Sequence, residues 1–229
     1  MNATAVDRIR ELHEEWERVA RDLPAEAFGA PSALPGWTRA HLLTHLARNA
    51  DGLGNLLTWA ETGVEHPMYG PGTARDDDIE AGARRGGEEI VADVVTSGRA
   101  LLDQAVRLPA QAWSAPVRAR LGQPITGADV LTMRLAETTI HLADLAAGHD
   151  LAAAVALLGD HLDDVVANLI RMCPRPLPSF RLGDGVRTWT VGEGGDLVTG
   201  TPATVLAWLT GRGDGAELSG PVPELASLI

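Results

Sequence analysis

Through the first 172 residues, apolar side chains return every three or four positions, in long runs cut off by proline and glycine. That period matches one face of an α-helix and no regular strand, so this part of the chain is read as a helical bundle. Residues 3–22 set Ile9, Leu12, Trp16 and Val19 on one face, and Pro24 ends the run. Pro31 and Pro35 keep the next stretch irregular. Thr38 is placed to N-cap a second helix that carries Leu42, Leu46, Leu53, Leu56 and Leu57 as far as Gly63. Residues 66–73, rich in Pro and Gly, form a loop. A third helical region covers 76–108, with a break or bend at Gly86-Gly87, since each glycine costs up to about 1 kcal/mol inside a helix. Residues 109–124 read as a connector. Thr126 and Asp129 have the spacing of a capping box and open a helix to about residue 147. A further helix, 151–172, carries Val155, Leu158, Leu162, Val165, Val166 and Leu169.

The pattern changes after Pro178. Residues 180–182 and 186–191 flank a Gly-Asp-Gly turn, as in a hairpin, and Leu197-Val198 supplies a third strand. Thr201-Pro202 opens a short helix ending near Thr210. The fold class is therefore mainly α with a small α+β part: a helical bundle in residues 1–172 and a small α/β domain in 179–229.

Charge and composition exclude several function classes. Thirty-one acidic residues face nineteen basic ones, all arginine, for a net charge of −12. With no basic stripe among aromatics, nucleic acid is not an expected partner. No apolar run approaches the roughly 20 residues that span a bilayer, so no membrane association is expected. Residues 1–21 mix charges with apolar residues at helical spacing and do not form a secretory signal, which makes the cytoplasm the default location. A monomer is the default state. The single cysteine, Cys173, cannot form an internal disulfide, and with no evident base beside it reads as a buried structural thiol rather than a nucleophile.

Two pairs of residues could carry chemistry. His41 and His45 share a face of the second helix, and Glu137 and His141 share a face of the helix that follows Thr126. Two imidazoles and one carboxylate are a common ligand set for a catalytic zinc that keeps a position open. Such a His pair equally serves as a surface or capping feature. Glu137 favours the metal reading, because it stands among Leu135, Ala136, Ile140 and Leu142, and a buried carboxylate needs a partner. The run Asp76-Asp77-Asp78 is most simply helix N-terminal charge. Trp37, Trp59, Trp113, Trp189 and Trp208 read as core or contact residues.

The stretch from Leu34-Pro35-Gly36-Trp37-Thr38-Arg39 through His41, His45 and Leu46 resembles the signature of mycothiol-dependent maleylpyruvate isomerases. The similarity continues through Asn49, Asn55-Leu56-Leu57, Pro67-Met68-Tyr69 and Ala74-Arg75. A second block holds Met133-Arg134, Glu137, His141 and Asp144-Leu145, and a third holds Gly211-Arg212-Gly213. The resemblance implies a DinB-like four-helix bundle followed by a small sterol-carrier-protein-like α/β domain. It implies zinc, or another divalent metal, on His45, Glu137 and His141, with His41 structural or supporting. It also implies that Arg212 matches an arginine the family relies on for cofactor binding and catalysis. One departure stands out: Ala136 occupies the position before the glutamate, where the family often has arginine.

The implied reaction converts maleylpyruvate to fumarylpyruvate, in aromatic breakdown through gentisate. A cis double bond isomerises if a thiolate adds, the new single bond rotates and the thiolate leaves, and mycothiol would be that thiol. The metal would either hold the thiol as thiolate or polarise the substrate. The substrate is a dicarboxylate, so Arg75 and Arg212 are the candidates to bind it. Each also has a plainer role open to it, Arg212 as a solvated residue after a helix and Arg75 as a surface residue beside the aspartates. Two other functions compete: a mycothiol S-transferase acting on another electrophile, and a non-catalytic metal-binding module with a closed site.

Overall fold

An apolar helix face needs a partner, and the chain before Asp150 supplies one for each long helix. In the computed structural model, which describes residues 2–174 and 176–224, α1 (Asn2–Arg21), α2 (Arg39–Thr62), α4 (Gly87–Arg107) and α5 (Gly127–Asp144) form a four-helix bundle. The short α3 (Ala74–Gly82) lies against α2. Around the bundle the helices neighbour one another in the order α1, α4, α2, α5, so α2 and α5 share a seam. Ile9, Leu12 and Trp16 of α1 are buried, as the spacing demands, with Leu42, Leu46, Leu53, Ile90 and Leu135. The Trp16 indole donates to the Thr138 carbonyl at 2.9 Å. Thr138 Oγ1 in turn donates to the Arg134 carbonyl at 2.8 Å, so these buried polar groups are matched.

The caps read from sequence are present. Asp129 accepts from the Thr126 backbone N–H at 2.7 Å and opens α5. Gly63, at φ 71°, closes α2. The third helical region breaks where the glycine pair stands, into α3 and α4, and the Glu89 carboxylate accepts from the Gly86 N–H at 3.1 Å.

The connector 109–124 has structure of its own: a 3₁₀ turn (Ala110–Ser114) precedes an antiparallel hairpin of β1 (Pro116–Arg118) and β2 (Pro124–Thr126). Val117 and Ile125 face each other and are buried, which pins the hairpin to the bundle beside α2 and α5. The chain forms two compact units that meet between Asp150 and Leu151, whereas the sequence pattern places a boundary at 172–179. The expected helix 151–172 is α6 (Leu151–Ala156), a 3₁₀ turn (Gly159–His161) and α7 (Leu162–Met172). It leaves the first unit because its apolar face finds its partners in the second. Leu162, Val165 and Val166 are buried, and α7 packs on α8 (Pro202–Leu209).

The second unit also holds a three-stranded sheet. Its central strand β3 (Phe180–Gly183) runs antiparallel to β4 (Thr188–Val191) and parallel to β5 (Leu197–Thr199). Trp189 donates to Asp163 of α7 at 2.6 Å. Phe180 and Trp208 meet edge to face at 5.6 Å. The hairpin turn is longer than its Gly-Asp-Gly core: Asp184 Oδ1 accepts from the N–H groups of Val186 and Arg187. Cys173, just past α7, is half-buried rather than buried. Among the described residues no helix is long and apolar enough to cross a membrane.

One polar cluster lies inside the bundle. Arg134, 1% exposed, donates through Nη1 to the Leu46 carbonyl at 3.0 Å and to Asn49 Oδ1 at 2.8 Å, and through Nε to His13 Nε2 at 3.1 Å. Burial lowers the Arg134 pKa to about 10. Burial first, and the Arg134 charge second, hold His13 well below the usual histidine range. An acceptor nitrogen has no proton to spare, so His13 is neutral in the fold. The unfolded chain takes up this proton near pH 6.5 and the folded chain only at lower pH. Stability is therefore full above pH 6.5 and falls as pH drops below it, by at most about 1.4 kcal/mol per pH unit. Urea unfolding of the wild type and His13→Gln between pH 7.5 and 5 should show a shallower acid decline in the variant.

Candidate metal centre

Hydrogen bonds at the ends of α2 and α5 set the site. Arg39, the first residue of α2, donates to the carbonyls of Leu145 and Ala146 just past α5, at 2.9 and 2.6 Å. The Ala33 N–H donates to the Asp144 carbonyl at 2.8 Å. These contacts fix the start of α2 against the end of α5. His45, in the second turn of α2, then faces Glu137 and His141, one turn apart on α5.

The three side chains close on one point. His45 Nε2 lies 3.1 Å from Glu137 Oε2 and 3.2 Å from His141 Nε2. His141 Nε2 lies 3.2 Å from Glu137 Oε2. A tetrahedral ion with ligand bonds of about 2.0–2.1 Å needs its donors about 3.3–3.4 Å apart, so this triangle is close to the right size. The side chains of His45 and His141 are 6% and 12% exposed, that of Glu137 33%, so solvent reaches the cluster on the glutamate side. Among the described residues no fourth His, Cys, Asp or Glu joins the group.

The partners of the cluster are suited to a metal. Asp144, 4% exposed, lies 2.8 Å from His141 Nδ1, which directs the Nε2 lone pair to the centre. Burial alone would raise the Glu137 carboxyl, but hydrogen bonds from His141 and His45 outweigh it and hold Glu137 well below the usual carboxylate range. Burial would lower His141, but Asp144 and Glu137 raise it. His45 lies below the ordinary range, first because it is buried. The result is an ionised carboxylate between two imidazoles, the donor set a divalent ion accepts.

Arg75, the first-unit arginine singled out from sequence, joins the cluster. Its Nη2 lies 3.2 Å from His45 Nδ1 and its Nη1 donates to Asp76 at 2.6 Å. The guanidinium also lies near the Trp37 and Tyr69 rings, 5.9 and 5.8 Å from their centroids. Trp37, read as a core or contact residue, is thus packed against Arg75 and stands 5.4 Å from the His45 ring. Two close approaches bring this group onto α2. Gly82 of α3 sits on Thr44, where any Cβ would collide with the Thr44 methyl. Gly52 of α2 faces Met68 and Tyr69, and a Cβ there would lie 2.8 Å from the Met68 carbonyl oxygen.

The remaining sequence-derived residues fall elsewhere. His41 is not in the cluster: it is the third residue of α2, and its Nδ1 accepts from the Thr38 N–H at 3.3 Å, so it completes the cap. Its Nε2 lies 3.4 Å from Glu80. Arg212 belongs to the second unit, just past α8, where its Nη1 donates to the Thr210 carbonyl at 2.9 Å. Ala136 is buried on α5. Sequence reading missed Asn49 and Tyr69 as site residues. Asn49 lies one turn beyond His45 and accepts from Arg134, and Tyr69 lies under the Arg75 guanidinium. Burial, and then the Glu137 charge, raise the Tyr69 phenol, so it stays protonated. The signal for Asn49 was a polar residue at i+4 from His45 on an otherwise apolar stripe.

Residues 9–146 match the family model described as the mycothiol maleylpyruvate isomerase N-terminal domain. No curated protein matches the chain by sequence. Among solved structures it is similar to the crystal structure of the mycothiol-dependent maleylpyruvate isomerase, at 26% identity and a TM-score of 0.81, covering 99% of this chain and 97% of the other. A histidine-to-alanine mutant of that isomerase matches with a TM-score of 0.80 and the same identity and coverage.

Metal analysis checks the donor set. The wild type should carry one divalent ion per chain, and His45→Ala and Glu137→Gln should carry little. Asp144→Asn should bind about 10–100-fold more weakly while remaining folded.

Proposed function

Since the chain belongs to the mycothiol maleylpyruvate isomerase family, we propose that it converts maleylpyruvate to fumarylpyruvate with mycothiol as its thiol and a divalent metal, zinc, on His45, Glu137 and His141. The observation that carries this reading is the solvent-reached triangle of two imidazoles and a carboxylate, with Arg75 touching one of its members. The metal, when bound, supplies Lewis acidity for a thiol sulfur or a substrate carbonyl. Mycothiol, when bound, supplies the sulfur nucleophile that a cis double bond needs in order to lose its bond order for a moment.

The chain's own residues bind, orient and exclude. Asp144 fixes the His141 ring, and Glu137 stays ionised well into the acid range. Arg75 is held near two aromatic rings, with Nη2 beside His45 and Nη1 on the exposed Asp76, and can take a substrate carboxylate in place of Asp76. Tyr69 keeps its proton and can donate to a substrate oxygen. Trp37 packs beside the His45 ring, 5.4 Å between centroids, and against Arg75. Arg212 is proposed as the cofactor-binding and catalytic arginine of the second unit, on its match to the family's arginine. His41, as a cap, leaves the cluster with three protein donors, which favours an open site over a closed, non-catalytic one. The enzyme is proposed to act as a monomer in the cytoplasm, on the gentisate route of aromatic breakdown.

The test is purified, metal-loaded protein with mycothiol and maleylpyruvate, followed by loss of maleylpyruvate absorbance. Turnover should need both thiol and metal and should vanish in His45→Ala. Arg75→Met should lower kcat/KM by about 10–100-fold, the worth of a charged hydrogen bond, with Arg75→Lys between it and wild type. Conjugation of the thiol to a general electrophile, without isomerisation, would make the protein an S-transferase instead.

A further inference from the structure

Beside Arg75 opens a cleft of about 360 Å³ that is walled in part by the β1–β2 hairpin. Val117 and Ala119 point their side chains into the protein and are buried, while the alternate residues Arg118 and Arg120 are exposed and line the cleft. The turn holds them there: the Gly122 N–H donates to the Ala119 carbonyl at 2.8 Å, and Arg118 Nη1 donates to the Gly122 carbonyl at 3.2 Å. Among the described residues neither Arg118 nor Arg120 has a carboxylate within ion-pairing distance, although the chain carries a net charge of −12. The cleft's two carboxylates are Glu65 and Asp76, and Asp76 is already bonded to Arg75. Two guanidinium groups without acidic partners therefore share one cavity with the arginine that touches the metal cluster. That arrangement suits an elongated ligand with an anionic group at each end.

We propose that Arg118 and Arg120 bind the substrate carboxylate that Arg75 does not hold, and so select dicarboxylates over monocarboxylates. This rests on the reading of the cluster as an isomerase centre. Arg75 takes the carboxylate nearer the metal, and the hairpin arginines take the far one, each by charge-assisted hydrogen bonds. Both hairpin side chains are exposed, so replacing them leaves the bundle core untouched.

The experiment compares the wild type with Arg118→Gln, Arg120→Gln and the double variant, with Arg107→Gln as a control for the loss of one exposed charge elsewhere. Steady-state kinetics give KM for maleylpyruvate, KM for mycothiol and kcat. Calorimetry gives the affinity for succinate, a dicarboxylate with no double bond to react, and for butyrate, its monocarboxylate counterpart. The double variant should raise KM for maleylpyruvate and Kd for succinate about 10–100-fold. Its kcat, its KM for mycothiol and its metal content should hold, and butyrate binding should not change. Unchanged KM and Kd in an active double variant overturn the proposal and leave the isomerase reading standing. A rise in the mycothiol KM alone assigns the cleft to the thiol and also overturns it. If the wild type does not isomerise maleylpyruvate, the isomerase reading fails, and succinate binding still decides: loss of that binding in the double variant upholds the dicarboxylate cleft, and no binding by the wild type ends it.

Discussion

A carboxylate between two imidazoles, in the seam of an apolar bundle, is the arrangement from which the rest of the first unit follows. A largely buried ionised glutamate is costly unless opposite charges or hydrogen-bond donors surround it. Here the donors are His45 across the seam and His141 one turn along α5. Their spacing persists only if α2 and α5 keep their register, and Arg39 with the Ala33–Asp144 contact locks that register at the helix ends. Without a metal, the cluster is satisfied by its own hydrogen bonds. The proposed divalent ion would take the same three side chains as its ligands.

A chain of polar contacts extends from this centre. His45 meets Arg75 of α3, whose guanidinium lies against the Tyr69 ring, and deeper in the bundle Asn49 meets Arg134, which reaches His13 on α1. Arg134 thus ties α5 to α1 and α2. Its bonds to His13, the Leu46 carbonyl and Asn49 each match a donor to an acceptor, which is how a buried guanidinium fits within a core of leucine. The small residues along α2 and α3 serve the same end, since Gly52 and Gly82 let the Tyr69 loop and α3 come close enough to present Arg75.

Much of this was legible in the sequence. The period of Ile9, Leu12 and Trp16, the stripe from Leu42 to Leu57, and the Thr126–Asp129 cap are local signals, and local signals survive folding. The His45–Glu137–His141 cluster was legible as two helix-face pairs, with His41 set apart as structural or supporting only by the family resemblance. His41 shares the face of His45, but as the third residue of its helix it is claimed by the cap, and spacing alone cannot separate those roles. The hairpin escaped notice because three-residue strands edged by Pro116 and Pro124 carry little period. The alternation Val117-Arg118-Ala119-Arg120 ahead of Gly122 was the available sign. The division at Asp150 was hidden for another reason. An amphipathic helix announces that it has an apolar face, and α7 does so clearly, but the sequence does not say which unit will cover that face.

The most direct test of the shared ligand point is anomalous diffraction from crystals of zinc-loaded protein. The account requires one strong peak within about 2.0–2.2 Å of His45 Nε2, His141 Nε2 and a Glu137 carboxylate oxygen, with no fourth protein ligand. A peak bound elsewhere, or full loading with the three side chains turned apart, would contradict it.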